Sequence, residues 1–406
     1  MEFVKNIKEK EYLDFCQNNN AHFLQTWAWG LVNKDCRDLI PCYVGIKEKN
    51  KLIAATLLLK KKTPFNMAYF YAPRGFIMDM NNEKLLNTFT KYLKAFLKEE
   101  NGIYLKVDPA IRYHDIDSEA KKVDGGNNNY KLYNHFIELG YKHKGFNKLH
   151  ERNQPRYTFR INLNNSLAEI ETKMNRTFLK TVRRSYDYDL KIRLSDDINT
   201  FYDLIKNNAS KDDFHEQSLK YYTNFYNIFK KYNQVKMFEA VLSPSLVVNK
   251  FKKELDILNI TVKKRKNQID IENKINRLKN DIDLLSNIEE KEIVVCSLIC
   301  VYSAKGSWTL YIGNDSLGTK VSAINRLYYE AIKDAKENNY QFIDLFGTVG
   351  DPHTKFKNLA GLHEFKRKLG GEYIEFIGEF DLVNKKGWYL ILPLLLKAYR
   401  QMRRIK

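Results

Sequence analysis

The sequence predicts a mixed α/β (α+β) fold of two related units, the second interrupted by an inserted antiparallel helical coiled-coil arm. Three observations predict it: a strand–helix–strand pattern that occurs twice, a stretch free of glycine and proline with coiled-coil spacing, and enough apolar material for two cores. The 406 residues exceed one small domain, and 44% hydrophobic with 13% aromatic content excludes a disordered chain.

The repeated pattern first runs from residues 68–75, Ala-Tyr-Phe-Tyr-Ala-Pro-Arg-Gly, through an amphipathic helix over 82–99, to Ile-Tyr-Leu-Lys-Val-Asp-Pro at 103–109. It recurs from Trp-Thr-Leu-Tyr-Ile-Gly at 308–313, through a helix over 321–338, to Phe-Ile-Asp-Leu-Phe-Gly at 342–347. Each copy is an aromatic-rich strand, a glycine turn, a long helix and a second strand carrying an aspartate, Asp108 or Asp344, expected at its end. A carboxylate in a strand-end cleft orients an ammonium or accepts a proton; it equally caps a loop or pairs with a lysine. The predicted boundaries are a first unit over 1–150, a second over 151–244 and 291–380, the arm over 245–290, and a basic, aromatic tail over 381–406.

Within the arm, Phe251, Leu255, Leu258 and Val262 are spaced 4-3-4, and Ile271, Ile275, Leu278, Ile282 and Leu285 are spaced 4-3-4-3. These are coiled-coil seams whose registers do not join, so the chain is expected to double back between them. Each arm of about 20 residues would extend roughly 30 Å. The turn is expected at Lys263, Lys264, Arg265 and Lys266, a basic tip fit for phosphates or simply for solvent.

Charge narrows the partners. Lys and Arg number 68 against 49 Asp and Glu, a net charge of +19, which favours nucleic acid, phosphorylated small molecules or an anionic membrane surface. Over 171–187 a helix is predicted with Lys173, Arg176, Lys180, Arg183 and Arg184 on one face and Met174, Phe178 and Val182 on another, continuing from Ile170. Arginine forks there suit phosphate. Five scattered cysteines imply no disulfide framework, and Cys296 and Cys300 read as core residues. With no apolar leader and no stretch long enough to span a bilayer, the cytoplasm is the expected compartment. The segment 313–320 resembles a phosphate loop with its Thr and Lys in the wrong order, and HExxH, GxSxG and GxGxxG are absent. His353 and His363 alone make no metal site.

Two further segments carry candidate chemistry. At 364–371, Glu-Phe-Lys-Arg-Lys-Leu-Gly-Gly reads locally as a surface strand entering a turn; a lysine, where it stands beside a reacting ester, stabilises the oxyanion that develops in acyl transfer. At 385–396, Lys-Lys-Gly-Trp-Tyr-Leu-Ile-Leu-Pro-Leu-Leu-Leu, followed by Lys397, Arg400, Arg403, Arg404 and Lys406, fits either an anionic membrane interface or a terminal helix packed on the core.

Taken in order, these motifs resemble the FemABX family of peptidoglycan-bridge aminoacyl transferases. The likeness rests on Phe-Leu-Gln-Thr-Trp-Ala-Trp-Gly at 23–30, Tyr-Ala-Pro-Arg-Gly at 71–75 with Arg74, the Lys-x-Asp-Pro of 106–109, the basic helix around Arg183, Leu-Tyr-Ile-Gly at 310–313 with Tyr311, 343–347 with Asp344, and Phe365-Lys366 with Gly370-Gly371. The resemblance implies two domains similar to GNAT-type acetyltransferases, with an arm like that of seryl-tRNA synthetases. It implies transfer of an amino acid from aminoacyl-tRNA to the side-chain amine of the stem peptide, on lipid II or a UDP-linked muropeptide, without metal or cofactor. Carried over residue by residue, Phe365 and Lys366 lie near the reacting ester, Asp108 is a candidate base, and Trp29 with Lys34 belongs to the acceptor cleft. Where many relatives place a Phe-Gly pair, this chain has Leu369-Gly370. The basic tail tilts the acceptor toward lipid II at the inner membrane face, for a monomer or a homodimer. Two rivals stay open: an acyl-CoA-dependent N-acyltransferase, for which no Gln/Arg-x-x-Gly-x-Gly loop is found, and a non-catalytic tRNA-binding coiled-coil adaptor.

Overall fold

A computed structural model describes residues 1–149, 153–212, 216–262 and 268–404. Two sheets organise the chain. The first holds, in spatial order, Glu2–Val4, Ile40–Glu48, Lys51–Thr63, Met67–Ala72, Gly102–Val107, Phe380–Val383 and Tyr141–His143. The second holds Arg112–Asp115, Glu372–Phe376, Tyr157–Asn162, Phe342–Thr348, Gly306–Asn314, Ile293–Ser303, Val235–Leu242 and Lys191–Leu194.

The repeated pattern becomes the same motif in both sheets. Met67–Ala72 pairs parallel with Gly102–Val107, and Gly306–Asn314 pairs parallel with Phe342–Thr348, while the other named strand pairs are antiparallel. A parallel pair requires a long crossover, and the helices Glu83–Glu99 and Ala323–Glu337 supply it. Their apolar faces bury Leu86, Phe89 and Leu93 in one unit and Leu327, Ala331 and Ile332 in the other. Asp108 follows its strand directly, as expected, but Asp344 lies inside Phe342–Thr348 rather than at its end. The pairing with Tyr157–Asn162 shifts register between Asp344 and Gly347, and Phe346 there has φ 59°. A bulge of this kind re-aims side chains mid-strand.

The units trade strands across the boundaries read at 150 and 380. Arg112–Asp115 pairs with Glu372–Phe376 in the second sheet, and Phe380–Val383 lies between Gly102–Val107 and Tyr141–His143 in the first. A shared core joins them, with Phe23, Trp29 and Leu57 packed with Phe225, Phe229 and Trp308.

The arm forms as the helices Pro244–Val262 and Gln268–Ser286, each about 28 Å long at the α-helical rise. Glu254 pairs with Lys274 across the seam at 2.5 Å. Its root is core: Phe251, Leu278, Ile282 and Leu285 are buried with the second sheet's apolar face. Tyr188 Oη donates to Asp281 at 2.8 Å, Lys250 Nζ to Asp189 at 2.7 Å and Arg277 Nη2 to Asp187 at 3.0 Å, pinning the root. The expected basic tip, Lys263 to Lys266, lies outside the described residues.

The expected single basic helix is two, Leu167–Lys173 and Arg176–Ser185. Met174 and Asn175 are extended, and the Asn175 side chain accepts from Thr177 N at 2.7 Å as a new N-cap. Met174, Phe178 and Val182 are buried as the pattern requires. Cys296 and Cys300 are buried core residues.

Candidate functional site

Where the units meet, the second sheet turns Thr158 and Asp344 away from its own core and toward the first unit, since Tyr157, Phe159, Ile343 and Leu345 point into that core. A small cavity there is lined by His22, Arg74, Pro155, Thr158, Trp308, Asp344, Phe346, Gly347 and Phe376. Predicted site residues reach it from both sides.

From the first unit comes the Pro73-Arg74-Gly75 turn. Buried Gln25 holds it: its amide donates to Pro73 O at 2.7 Å while its carbonyl oxygen accepts from Leu57 N at 2.9 Å and Thr56 Oγ1 at 3.0 Å. Asp108, 1% exposed, accepts from Arg74 N at 2.8 Å and from Tyr71 Oη at 2.8 Å. Burial pushes its carboxyl up to about 6, against the opposing pull of Arg74. With both oxygens engaged, Asp108 is arranged to set the Arg74 turn rather than to reach a substrate proton. The Arg74 guanidinium lies 4.3 Å from the Phe376 ring centroid and donates to Pro155 O.

From the second unit Asp344 lines the cavity, and Lys366 lies behind the Phe346 and Gly347 carbonyls. The segment 364–368 is not a surface strand but the end of the helix Lys357–Arg367, and the helix geometry carries Lys366 inward. Its Nζ, 5% exposed as a residue, donates to Gly347 O at 2.6 Å and Phe346 O at 3.1 Å. Burial lowers its pKa to about 7, and the Asp344 carboxylate opposes that fall. An ammonium has three donors, and two are used here. Phe365 packs edge-on against Tyr328 and Phe178, centroids 5.1 and 6.5 Å apart, so it fixes the helix instead of lining the cavity. Gly370 (φ 75°) explains the glycine pair: a Cβ there would sit 2.4 Å from Lys173 O, so only glycine permits the close crossing that follows Lys366. Leu369 is fully buried in the second unit's core.

Asp344 itself accepts from Thr158, from Phe346 N at 2.8 Å, and from Arg160 Nη2 at 3.1 Å. Arg160 also lines a neighbouring cleft of about 640 Å³ with Arg112, Lys173, Gly370 and Gly371. The cavity and the cleft thus meet at one ion pair. Two buried donors at the cavity, Arg74 Nε and Trp308 Nε1, find no acceptor among the described residues. The cavity beside them, of about 10 Å³, has room for one water-sized group. His22 beside them is kept neutral, its pKa driven down by burial and by the Arg74 and Arg160 charges.

The remaining predicted residues gather elsewhere. Trp29 and Tyr311 join through two residues the motifs did not single out: the Arg37 guanidinium lies 5.4 Å from the ring centroids of both Trp29 and Tyr221, and Tyr221 Oη is 3.0 Å from Tyr311 Oη. Lys34 is exposed on the same helix, Trp27–Arg37. Arg183 is exposed on the opposite side of the second sheet, but Arg184 turns inward and donates to Tyr188 Oη at 3.3 Å. Arg37 is legible in hindsight as the basic end of the tryptophan helix; Gln25 lay inside a quoted motif but only its buried contacts reveal its work.

A FemAB family model matches residues 7–397. The chain belongs to the FemAB family. Curated relatives include the lipid II:glycine glycyltransferase of Staphylococcus epidermidis, 27% identical over 97% of this chain and 96% of the relative. The protein of that name from Staphylococcus aureus is also 27% identical, over 97% of this chain and 96% of its own length. Among solved structures, FemX superposes with a TM-score of 0.78 at 23% identity, covering 96% of this FemAB-family chain and all of FemX, which shows the shared fold, described above as two mixed sheets.

Proposed function

We propose that the chain transfers an amino acid from aminoacyl-tRNA to the stem-peptide amine of a peptidoglycan precursor, with lipid II as the acceptor. The observation that carries the reading is the cavity between the units: Arg74 from the first and Trp308 from the second each bring a buried donor with no acceptor among the described residues, and Lys366 stands behind Gly347. The printed names of the relatives support the same chemistry. The aminoacyl ester is already activated, so alignment and oxyanion stabilisation suffice. The acceptor amine attacks the ester carbonyl, the new C–N bond forms, and the C–O bond to the tRNA ribose breaks with the proton passing to the leaving oxygen. Lys366 uses its remaining donor on the tetrahedral oxyanion. Asp108 positions the Arg74 turn, and Phe365 positions Lys366. The acceptor occupies the Trp29, Lys34 and Tyr311 side, while Arg183 and the arm tip Lys263, Lys264, Arg265 and Lys266 meet tRNA phosphates, and Arg184, turned inward, braces Tyr188.

The test incubates the purified chain with lipid II or UDP-linked muropeptide and charged tRNAs, glycyl-tRNA first, and reads product mass. Lys366→Met is expected to lower transfer by about 10²-fold or more while its circular dichroism spectrum stays native. Full activity in that variant overturns the role of Lys366. Transfer from an acyl-CoA instead of charged tRNA overturns the donor.

A further inference from the structure

The C-terminal helix Lys386–Arg404 has two apolar sides, and only one is used by the protein. Leu392, 4% exposed, is buried with Met67 and Ile103, and Trp388 and Tyr389 pack beside it. Tyr389 is locked in place: its Oη donates to Asp381 at 2.8 Å and accepts from Lys144 at 2.9 Å. The other side carries Leu390, Ile391, Leu394 and Leu395, exposed by 71, 47, 68 and 41%. Positions i, i+1, i+4 and i+5 share one helical face. The turn between the strands Lys51–Thr63 and Met67–Ala72 adds Phe65, 72% exposed, whose ring centroid lies 5.3 Å from that of Trp388. Segments far apart in the chain therefore bring exposed apolar side chains to the same helix, Phe65 through Trp388.

Its surroundings are cationic. Lys60, Lys61 and Lys62 lead into the Phe65 turn, Lys60 pairing with Glu100 at 2.6 Å and Lys61 lying 3.6 Å from Asp38, and residues 382–406 contain seven Lys or Arg and no Asp or Glu. Protruding leucines with an aromatic neighbour and an excess of positive charge in the C-terminal segment match a leaflet of anionic lipid, where the cations meet headgroups and the side chains enter the acyl boundary. No described helix is long and apolar enough to cross a membrane.

We propose that Phe65 and the Leu390/Leu394 flank form a seat on anionic lipid membranes. The proposal deepens the reading of a lipid-linked acceptor, on which its purpose rests. The experiment measures co-sedimentation of the full chain with phosphatidylglycerol-containing vesicles and with pure phosphatidylcholine vesicles, for the natural protein, Phe65→Ser and the double variant Leu390→Ser/Leu394→Ser. Exposed sites keep the fold, which circular dichroism checks. The expected result is binding to the anionic vesicles only, weakened at least about tenfold by either variant, with transfer to the soluble UDP-linked acceptor unchanged. Absent vesicle binding, or binding indifferent to both variants, overturns the seat even where transfer succeeds. Loss of a dimer in the variants, without vesicle binding, assigns these side chains to a second copy and overturns the seat too. Variant-sensitive vesicle binding with no transfer to any acceptor keeps the seat and removes the proposed function instead.

Discussion

At Asp108 the end of a strand is buried with a carboxyl whose two oxygens accept from Tyr71 and Arg74, and burial carries its pKa from 3.8 to about 6. The sign of the linkage follows. A raised folded-state pKa contributes stability that is present below about 3.8 and is lost as pH rises through about 6. Two units correspond to about 3 kcal/mol. Asparagine keeps an accepting oxygen and cannot ionise, so the stability deficit of Asp108→Asn is expected to shrink by about 2–3 kcal/mol between pH 4 and pH 8. Urea unfolding of both proteins at the two pH values measures it, and a pH-independent difference would contradict the buried carboxylate. The Lys-x-Asp-Pro spelling made Asp108 visible as a candidate. Its engagement on both oxygens was not, because Arg74 and Tyr71 reach it only after the strands pair. Lys366 illustrates the converse: the spelling around it looked like a strand, but the apolar neighbours Phe365 and Leu369 serve a helix end and a core position.

Among elements, the arm divides between its seam and its outer face. Leu278 and Leu285 on the seam are essentially inaccessible, while Ile257 and Ile260, off the seam, are 64 and 69% exposed. Leu278→Ala is therefore expected to cost about 2–5 kcal/mol of global stability, because the cavity opens in the second unit's own core. Ile260→Ala is expected to stay within about 0.5 kcal/mol. Denaturation midpoints of the two variants decide this, and equal effects would mean the arm does not share the core. The seam was legible because its 4-3-4 spacing survives in any context. The split of the basic helix at Asn175 was not, since its apolar spacing runs through the break. A capping asparagine and the close crossing at Gly370 decide that break in three dimensions.

Over the whole molecule, the exchange of strands governs how the two units depend on each other. Phe380–Val383 supplies hydrogen bonds to both Gly102–Val107 and Tyr141–His143, so without it two strands of the first sheet lose their common neighbour. Arg112–Asp115 conversely edges the second sheet, and Ser303 Oγ donates to Ala21 O at 2.8 Å across the shared core. Such short strands carry too little pattern of their own to announce a sheet, which is why boundaries drawn from composition cut through the exchange; the two strand–helix–strand repeats, being local, were readable. The physical consequence is cooperativity. Buried aromatics such as Phe23, Phe229 and Trp308 contact partners from both halves, so loss of either half exposes the core of the other. The intact chain is expected to unfold in one transition, with tryptophan fluorescence and far-ultraviolet circular dichroism giving the same urea midpoint. A fragment of residues 1–150 is expected to stay unfolded or to aggregate, and adding a fragment of residues 151–406 to restore both sheets. A 1–150 fragment that folds alone, with dispersed amide resonances and a cooperative melt, would mean the exchanged strand is an ornament on an autonomous unit.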